Sequence, residues 1–281
     1  MIASSSSSPT RSFSALSTSL KNKTHSEIIE LCLKSGFSGI EAHPFLSQNV
    51  EEPALVKIGE QYHACGLKID SFHLPYLDLA SLDELARLHA LENFKLTLRQ
   101  AAALGARVGI THPTKASGVA DCGLNPLLDA LEKSLSELLP LAESLGVILA
   151  LENLGPAGID RLGSAPEHFE AFKKRFAHSS LGFCLDTGHA LLSLHGRAIE
   201  LAEVMKDHLQ AFHLNDNAGD RDSHLAPGRG LVDWASIARL LREINFTHAA
   251  CIEAPPFAYG PNYRVEAWQQ LYTNTAELLP L

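Results

Sequence analysis

Short apolar runs alternate with longer amphipathic segments along nearly the whole chain. The runs are SFSALST (12–18), GIEAH (39–43), LKIDSFH (67–73), ARVGITH (106–112), VILALEN (147–153), LGFCLD (181–186), LQAFHLN (209–215) and HAACIEA (248–254). Segments with apolar residues at helical spacing lie between and after them, at 25–36, 52–65, 82–104, 124–145, 165–176, 197–208, 233–244 and 264–278. Ser81-Leu-Asp-Glu84 and Ser164-Ala-Pro-Glu167 read as capping boxes, the second with Pro166 in the first turn. Gly36, Gly66, Gly105 and Gly146 follow their apolar stripes as helix-terminating glycines do. Continuous apolar strands alternating with helices predict a parallel sheet covered by helices. Eight such units predict an α/β fold of the (β/α)8 TIM-barrel type. The competing reading is an open doubly wound sheet, which often carries a glycine-rich phosphate loop after an early strand, and the chain has none. No linker divides the sequence, so residues 11–281 are expected to form a single domain. The first ten residues, MIASSSSSPT, lack the apolar stretch of a signal peptide and read as a disordered tail.

Composition narrows the function classes. The 281 residues are 46% hydrophobic and 20% charged, enough to bury a full core. The net charge of −9 gives no overall attraction to nucleic acid or anionic membrane. No apolar segment reaches about 18 residues, so no membrane span is expected. The five cysteines, Cys32, Cys65, Cys122, Cys184 and Cys251, are odd in number and widely spaced, which fits a reducing, cytoplasmic setting better than a disulfide framework. Fourteen histidines are many for this length, and their positions matter more than their number.

Those positions are strand ends. The second run ends Glu41-Ala-His43, the third at His73, the fourth at His112 and the fifth near Glu152. The sixth ends at Asp186 with His189 three residues on, the seventh passes through His213 and the eighth through Glu253. In a barrel all these ends meet on one face, where active sites of this architecture are built. Each residue alone reads as an ordinary loop or turn residue. Together, Glu152, Asp186 and Glu253 would crowd one mouth with negative charge, which requires a cation or retained protons. Oxygen and imidazole donors without thiolate suit Zn²⁺, Mn²⁺, Co²⁺ or Mg²⁺, and the histidine content favours the first three.

The motifs GFSGIEAH, FHLPY, THPT, LALENLG, CLDTGHA, FHLNDN, DSHLAPGRGLVDW and CIEAPP span residues 36 to 254. Their order and spacing resemble the xylose isomerase-like TIM-barrel superfamily, which includes sugar isomerases, ketose epimerases and endonuclease IV. The resemblance implies a core metal held by Glu152, Asp186, His213 and Glu253. Glu152 and Glu253 would be the catalytic acid–base pair, on opposite sides of the carbon beside a substrate carbonyl, working through a metal-stabilised enediolate. His189 would bind substrate, and Arg229 in Gly228-Arg-Gly230 would meet a substrate phosphate or carboxylate, or face solvent. Up to three metals follow from the endonuclease side of the resemblance: His73, His112 and Glu152 would hold one, the core set the next, and His189, Asp222 and His224 the third. For Asp222 and His224, substrate contact or plain loop structure stands as an equal alternative.

The expected function is a divalent-metal-dependent isomerase or epimerase of a sugar, sugar phosphate or polyol-derived ketone. Its partner would be a small carbohydrate, and a homo-oligomer is compatible with it. Two alternatives use the same ligands: an endonuclease IV-like zinc phosphodiesterase, and a metal-dependent dehydratase. Glu152-Asn-Leu-Gly-Pro departs from the Glu-Pro-x-Asn-Arg run that ketose 3-epimerases share, and resembles the endonuclease. Against a nuclease, SFSALSTSLKNK lacks a glycine-rich opening, and no stripe of basic and aromatic residues follows a DNA backbone. A non-enzymatic binding role ranks below all of these, because both glutamates are present.

Overall fold

Every apolar run becomes a parallel strand. In a computed structural model, describing residues 12–115, 117–155, 160–192, 198–248 and 250–280, the strands are β1 (Phe13–Leu16), β2 (Gly39–Ala42), β3 (Lys68–His73), β4 (Val108–Thr111), β5 (Ile148–Glu152), β6 (Leu181–Asp186), β7 (Leu209–Leu214) and β8 (Ala250–Ile252). They pair in chain order and β1 closes on β8, giving the expected (β/α)8 barrel. The helices are α1 (His25–Ser35), α2 (Glu52–Ala64), α3 (Glu84–Ala103), α4 (Val119–Cys122), α5 (Leu124–Leu145), α6 (Pro166–Arg175), α7 (Thr187–Leu192), α8 (Ala198–Met205), α9 (Trp234–Glu243) and α10 (Val265–Leu278). The serine-rich first ten residues lie outside the described residues. Among those described, no helix is long and apolar enough to cross a membrane.

Two-residue alternation along the strands sorts the side chains. Leu149, Leu151, Phe183, Leu185, Phe212 and Ile252 join the large core with the helices. The intervening positions face the barrel axis. There Val108, Ile110, Ala150, Cys184 and Ala211 form a separate small cluster. Two residues beyond Ala150, Cys184, Ala211 and Cys251, on the same faces, come Glu152, Asp186, His213 and Glu253. Small side chains below thus leave room for large polar ones at the mouth. The helices pack by ordinary amphipathic stripes: α5 buries Leu127, Leu131, Ser134, Leu135, Leu138 and Ala142, one face of a 3.6-residue period.

The element ends correct several expectations. Strands stop short of the apolar runs, so His43, His112 and Glu253 sit one residue past their ladders. The run at 12–18 gives only four strand residues before a 3-10 turn over Ser17–Leu20. The capping box expected at Ser81 is absent. Asp83 caps α3 instead, accepting from the Leu85 and Ala86 amides, while Ser81 Oγ accepts from Asp83 N. Ser164 also caps nothing, since Oγ donates to Arg161 O at 2.7 Å and α6 starts one residue later, after Ala165. Among the described residues a capping box forms at Thr24 and Glu27 of α1. The four glycines keep their assigned role, with φ of 89°, 79°, 85° and 67° at Gly36, Gly66, Gly105 and Gly146.

The long loop after β7 is held by one buried carboxylate. Asp216 Oδ1 accepts from Asn217 N and Val232 N, both at 3.0 Å. Its Oδ2 accepts from Gly228 N at 3.0 Å and from Trp234 Nε1 at 2.9 Å. Asp216 and Leu225 also exchange backbone hydrogen bonds at 2.8 and 2.7 Å. Six hydrogen bonds to five residues of the loop meet at Asp216, four of them on its carboxylate, so Asp216→Ala should strand several buried donors. A loss of roughly 2–4 kcal/mol is expected, read as a drop of several degrees in thermal melting, with Asp216→Asn recovering part of it.

Candidate metal centre

The core ligand set comes from four strand ends. Glu152 closes β5, Asp186 closes β6, His213 lies near the end of β7 and Glu253 follows β8. One ligand atom from each lies within 4.8 Å of all the others. His213 Nδ1 is the hub, 2.9 Å from Glu253 Oε2, 3.1 Å from Glu152 Oε1 and 3.9 Å from Asp186 Oδ2. All four residues are buried, Glu253 being the most accessible at 8%.

Asp186 is fixed on every side. Its Oδ1 accepts from His189 N and its Oδ2 from Asn215 Nδ2, both at 2.6 Å, while its backbone exchanges hydrogen bonds with the Asn153 amide. Asn215 can approach because position 188 is glycine: a Cβ there would overlap Asn215 Oδ1. Thr187 Oγ1 ties the same turn to the carbonyls of His213 and Asn215.

Two further groups flank the core. Glu152 Oε2 faces His112 Nε2 at 3.0 Å and His73 Nε2 at 3.5 Å. On the other side, Asp222 Oδ2 lies 3.2 Å from His189 Nε2 and 3.3 Å from His224 Nε2. The core set and the set His189, Asp222 and His224 are each brought together as expected; in the first expected set His73 and His112 both face Glu152, but it is His213, not His112, that joins His73 and Glu152 in a group close enough to share an ion. A carbonyl oxygen accepts only, so it fixes a tautomer. His73 Nδ1 donates to Leu74 O, His189 Nδ1 to Asn153 O and His224 Nδ1 to Glu253 O, each at 2.9 Å. In each ring Nε2 is left facing a carboxylate, the arrangement metal-ligating histidines adopt. His224 also holds φ at 43°, a conformation that side-chain-bearing residues rarely adopt. Arg229 is exposed and lies over the Tyr259 ring, 5.1 Å from its centre.

The electrostatics are those of a site short of positive charge. Burial pushes the Asp186 carboxyl up to about 7; His189 opposes this and Glu253 and Glu152 add to it. Burial also disfavours charge on His73 and His224, yet bonded carboxylates outweigh it: Glu152 raises His73 to about 9, and Asp222 raises His224 to about 10. His43, stacked on His73 with ring centres 4.9 Å apart, is instead pushed down to about 3 by burial and by that neighbour. Glu152 Oε2 and Glu253 Oε2 are buried and have no aligned hydrogen-bond donor among the described residues, despite the imidazoles beside them. Glu253 Oε2 faces the core set and Glu152 Oε2 faces His73 and His112, so each of these places has a buried carboxylate oxygen without an aligned donor, and the donor set suits a divalent cation.

Three supporting groups stand behind the candidate ligands, and of these only Asn215 was expected to have a part, in shaping its turn. Glu41 is fully buried on β2, with Oε2 3.0 Å from His213 Nε2. Asn153 and Asn215 orient Asp186. Glu41 and Asn215 each stand two residues from a candidate ligand or at a strand end, so alternation alone could have flagged them.

The model of the family described as "Xylose isomerase-like TIM barrel" matches residues 29–279. Uncharacterized protein MJ1311 of Methanocaldococcus jannaschii is 29% identical over 186 residues, covering 64% of this chain and 62% of that protein. A probable endonuclease 4 of Solibacter usitatus is 30% identical over 190 residues, covering 60% and 63%. The chain spans 55–66% of the length of the first three curated relatives it matches. Among solved structures, a D-tagatose 3-epimerase-like protein superposes with a TM-score of 0.77 at 23% identity, covering 95% of this chain and 97% of its own. An IOLI protein with a bound zinc atom also gives 0.77, at 20% identity over 96% and 99%.

The carboxylates bonded to His73 and His224 favour their protonated forms at neutral pH, and burial pushes Asp186 up toward its neutral form. A cation must displace those protons. Zn²⁺ affinity should therefore rise between pH 7 and 9, with protons released on binding. Calorimetry in two buffers of different ionisation enthalpy measures the release; binding without it would contradict the ligand assignment.

Proposed function

Because the chain belongs to the xylose isomerase-like TIM-barrel family, we propose that it is a divalent-metal-dependent enzyme of the sugar isomerase or epimerase type, with Glu152 and Glu253 as its acid–base pair. One observation carries this reading: the two carboxylates, from β5 and β8, reach the same imidazole nitrogen from different sides of the mouth, at 3.1 and 2.9 Å. A carbon seated between them meets a carboxylate on each face. One removes a proton beside the carbonyl and the other returns one. Asp186, with both oxygens already accepting hydrogen bonds, holds its place and is not free to act as a base. Glu152, Asp186, His213 and Glu253 would hold the ion, which supplies Lewis-acid polarisation of the carbonyl when bound. His189 lines the mouth and seats a substrate hydroxyl, and Arg229 is available to an anionic substrate group. Zn²⁺ and Mn²⁺ suit the donors, and the zinc bound by the IOLI protein supports the choice of ion.

A second reading rests on the flanking groups. Their tautomers are set so that Nε2 of His73, His189 and His224 each faces a carboxylate, which is what a three-zinc phosphodiesterase would need. The similarity to a probable endonuclease 4 supports it.

The readings separate experimentally. An isomerase or epimerase incorporates deuterium from D₂O into a keto-sugar carbon, whereas absence of exchange across a broad keto-sugar panel would sink the first reading. Glu253→Gln should lower turnover at least about 10²-fold with the fold intact, and retained activity would remove Glu253 from the pair. For the second reading, two or three metal equivalents per chain by elemental analysis and nicking of an abasic-site duplex are expected. An intact duplex with the loaded protein eliminates it.

A further inference from the structure

Beneath the core ligands lies a carboxylate that neither reading uses. Glu41 is completely buried, and no lysine or arginine is bonded to it among the described residues. An ionised carboxylate in such a place costs several kcal/mol unless something compensates it. Its own contacts are uneven. Oε2 accepts from Ser71 Oγ at 2.6 Å and faces His213 Nε2 at 3.0 Å. Oε1 has no hydrogen-bond partner, and the nearest imidazole, His43 Nε2, is 4.0 Å away and also without one. A side chain selected for stability would not leave a buried oxygen so placed.

The direction of Oε2 explains its presence. His213 can offer a lone pair at Nδ1, toward Glu152, Asp186 and Glu253, only if the ring proton sits on Nε2. A carboxylate on Nε2 enforces that tautomer, fixes the ring plane and makes Nδ1 a stronger donor. In His73, His189 and His224 a backbone carbonyl fills this role from the Nδ1 side. His213 is turned the other way, Nδ1 toward the core ligands, and its Nε2 faces Glu41, with no backbone carbonyl bonded to it among the described residues. β2 and β7 are not neighbours in the barrel, so only a long acidic side chain spans the gap.

We propose that Glu41 is a positioning residue of the metal centre: held by Ser71, it locks His213 as the Nε2–H tautomer and aims Nδ1 at the ion. This rests on the reading that Glu152, Asp186, His213 and Glu253 hold a divalent cation.

The test measures Zn²⁺ alone, by competition with a chromophoric chelator, on metal-stripped full-length protein. Glu41→Leu, which removes the acceptor, should weaken Zn²⁺ binding about 10–100-fold. Glu41→Gln, which keeps an acceptor oxygen at the same reach, should recover part of that loss, and Ser71→Ala should cost a few-fold. Nitrogen-15 NMR of the zinc-loaded wild type should show His213 protonated at Nε2. Glu41→Leu binding within twofold of wild type, or His213 protonated at Nδ1, overturns the assignment. If Glu41→Leu does not fold, Glu41→Gln and Ser71→Ala decide it together: wild-type affinity in both overturns it. A wild-type chain that fails to bind Zn²⁺ refutes the metal reading itself, whereas tight wild-type binding with unaffected variants refutes only the role of Glu41.

Discussion

Three carboxylates buried at one barrel mouth repel each other, and the rest of the site follows from relieving that repulsion. Glu152, Asp186 and Glu253 surround a single imidazole nitrogen. Water cannot screen them at this depth, and no lysine or arginine reaches them among the described residues. Without an ion, the fold answers with protons: imidazoles beside the acids hold theirs tightly, and Asp186 is pushed toward neutrality. A divalent cation answers the same demand more directly, because it faces all the lone pairs at once.

Around the charged centre the structure spends its polar groups on orientation. Asn153 and Asn215 hold Asp186, backbone carbonyls hold three histidines, and Glu41 stands behind the fourth. The loop carrying Asp222 and His224 would be free to move by its glycine-rich composition, yet Asp216 gathers it at four hydrogen bonds. That clamp lets a surface loop present Asp222 and His224 to His189. Precision at the mouth is thus supplied from beneath and beside it, not by the ligands themselves.

The two functional readings differ in how many of these carboxylate–imidazole groups hold an ion. One central ion leaves the outer histidines to contact substrate. Three ions make them ligands. Glu152 is shared in either case, since its two oxygens face different groups: Oε1 the core and Oε2 the pair His73 and His112. The geometry prepares both outcomes, and the chemistry that follows is set by what fills the mouth.

The sequence alone determined the barrel. Eight apolar runs with amphipathic segments between them bury their faces as a parallel sheet wrapped in helices, the eight units and the lack of a glycine-rich phosphate loop favour the closed form over an open sheet, and parallel pairing then brings the strand-end acids and histidines to one mouth. Glu152, Asp186, His213 and Glu253 were legible for that reason, as were His73 and His112. Local hydrogen bonding was less legible: at Ser81 and Ser164 the spacing of a capping box is present, but nearer partners took the hydroxyls. What only the tertiary structure decided was pairing across the interior. Glu41 and His213 are 172 residues apart, and Glu152 meets His112 and His213 through different oxygens. Register, the barrel diameter and the reach of each side chain set those contacts, and none of the three is written in the local pattern that makes a strand.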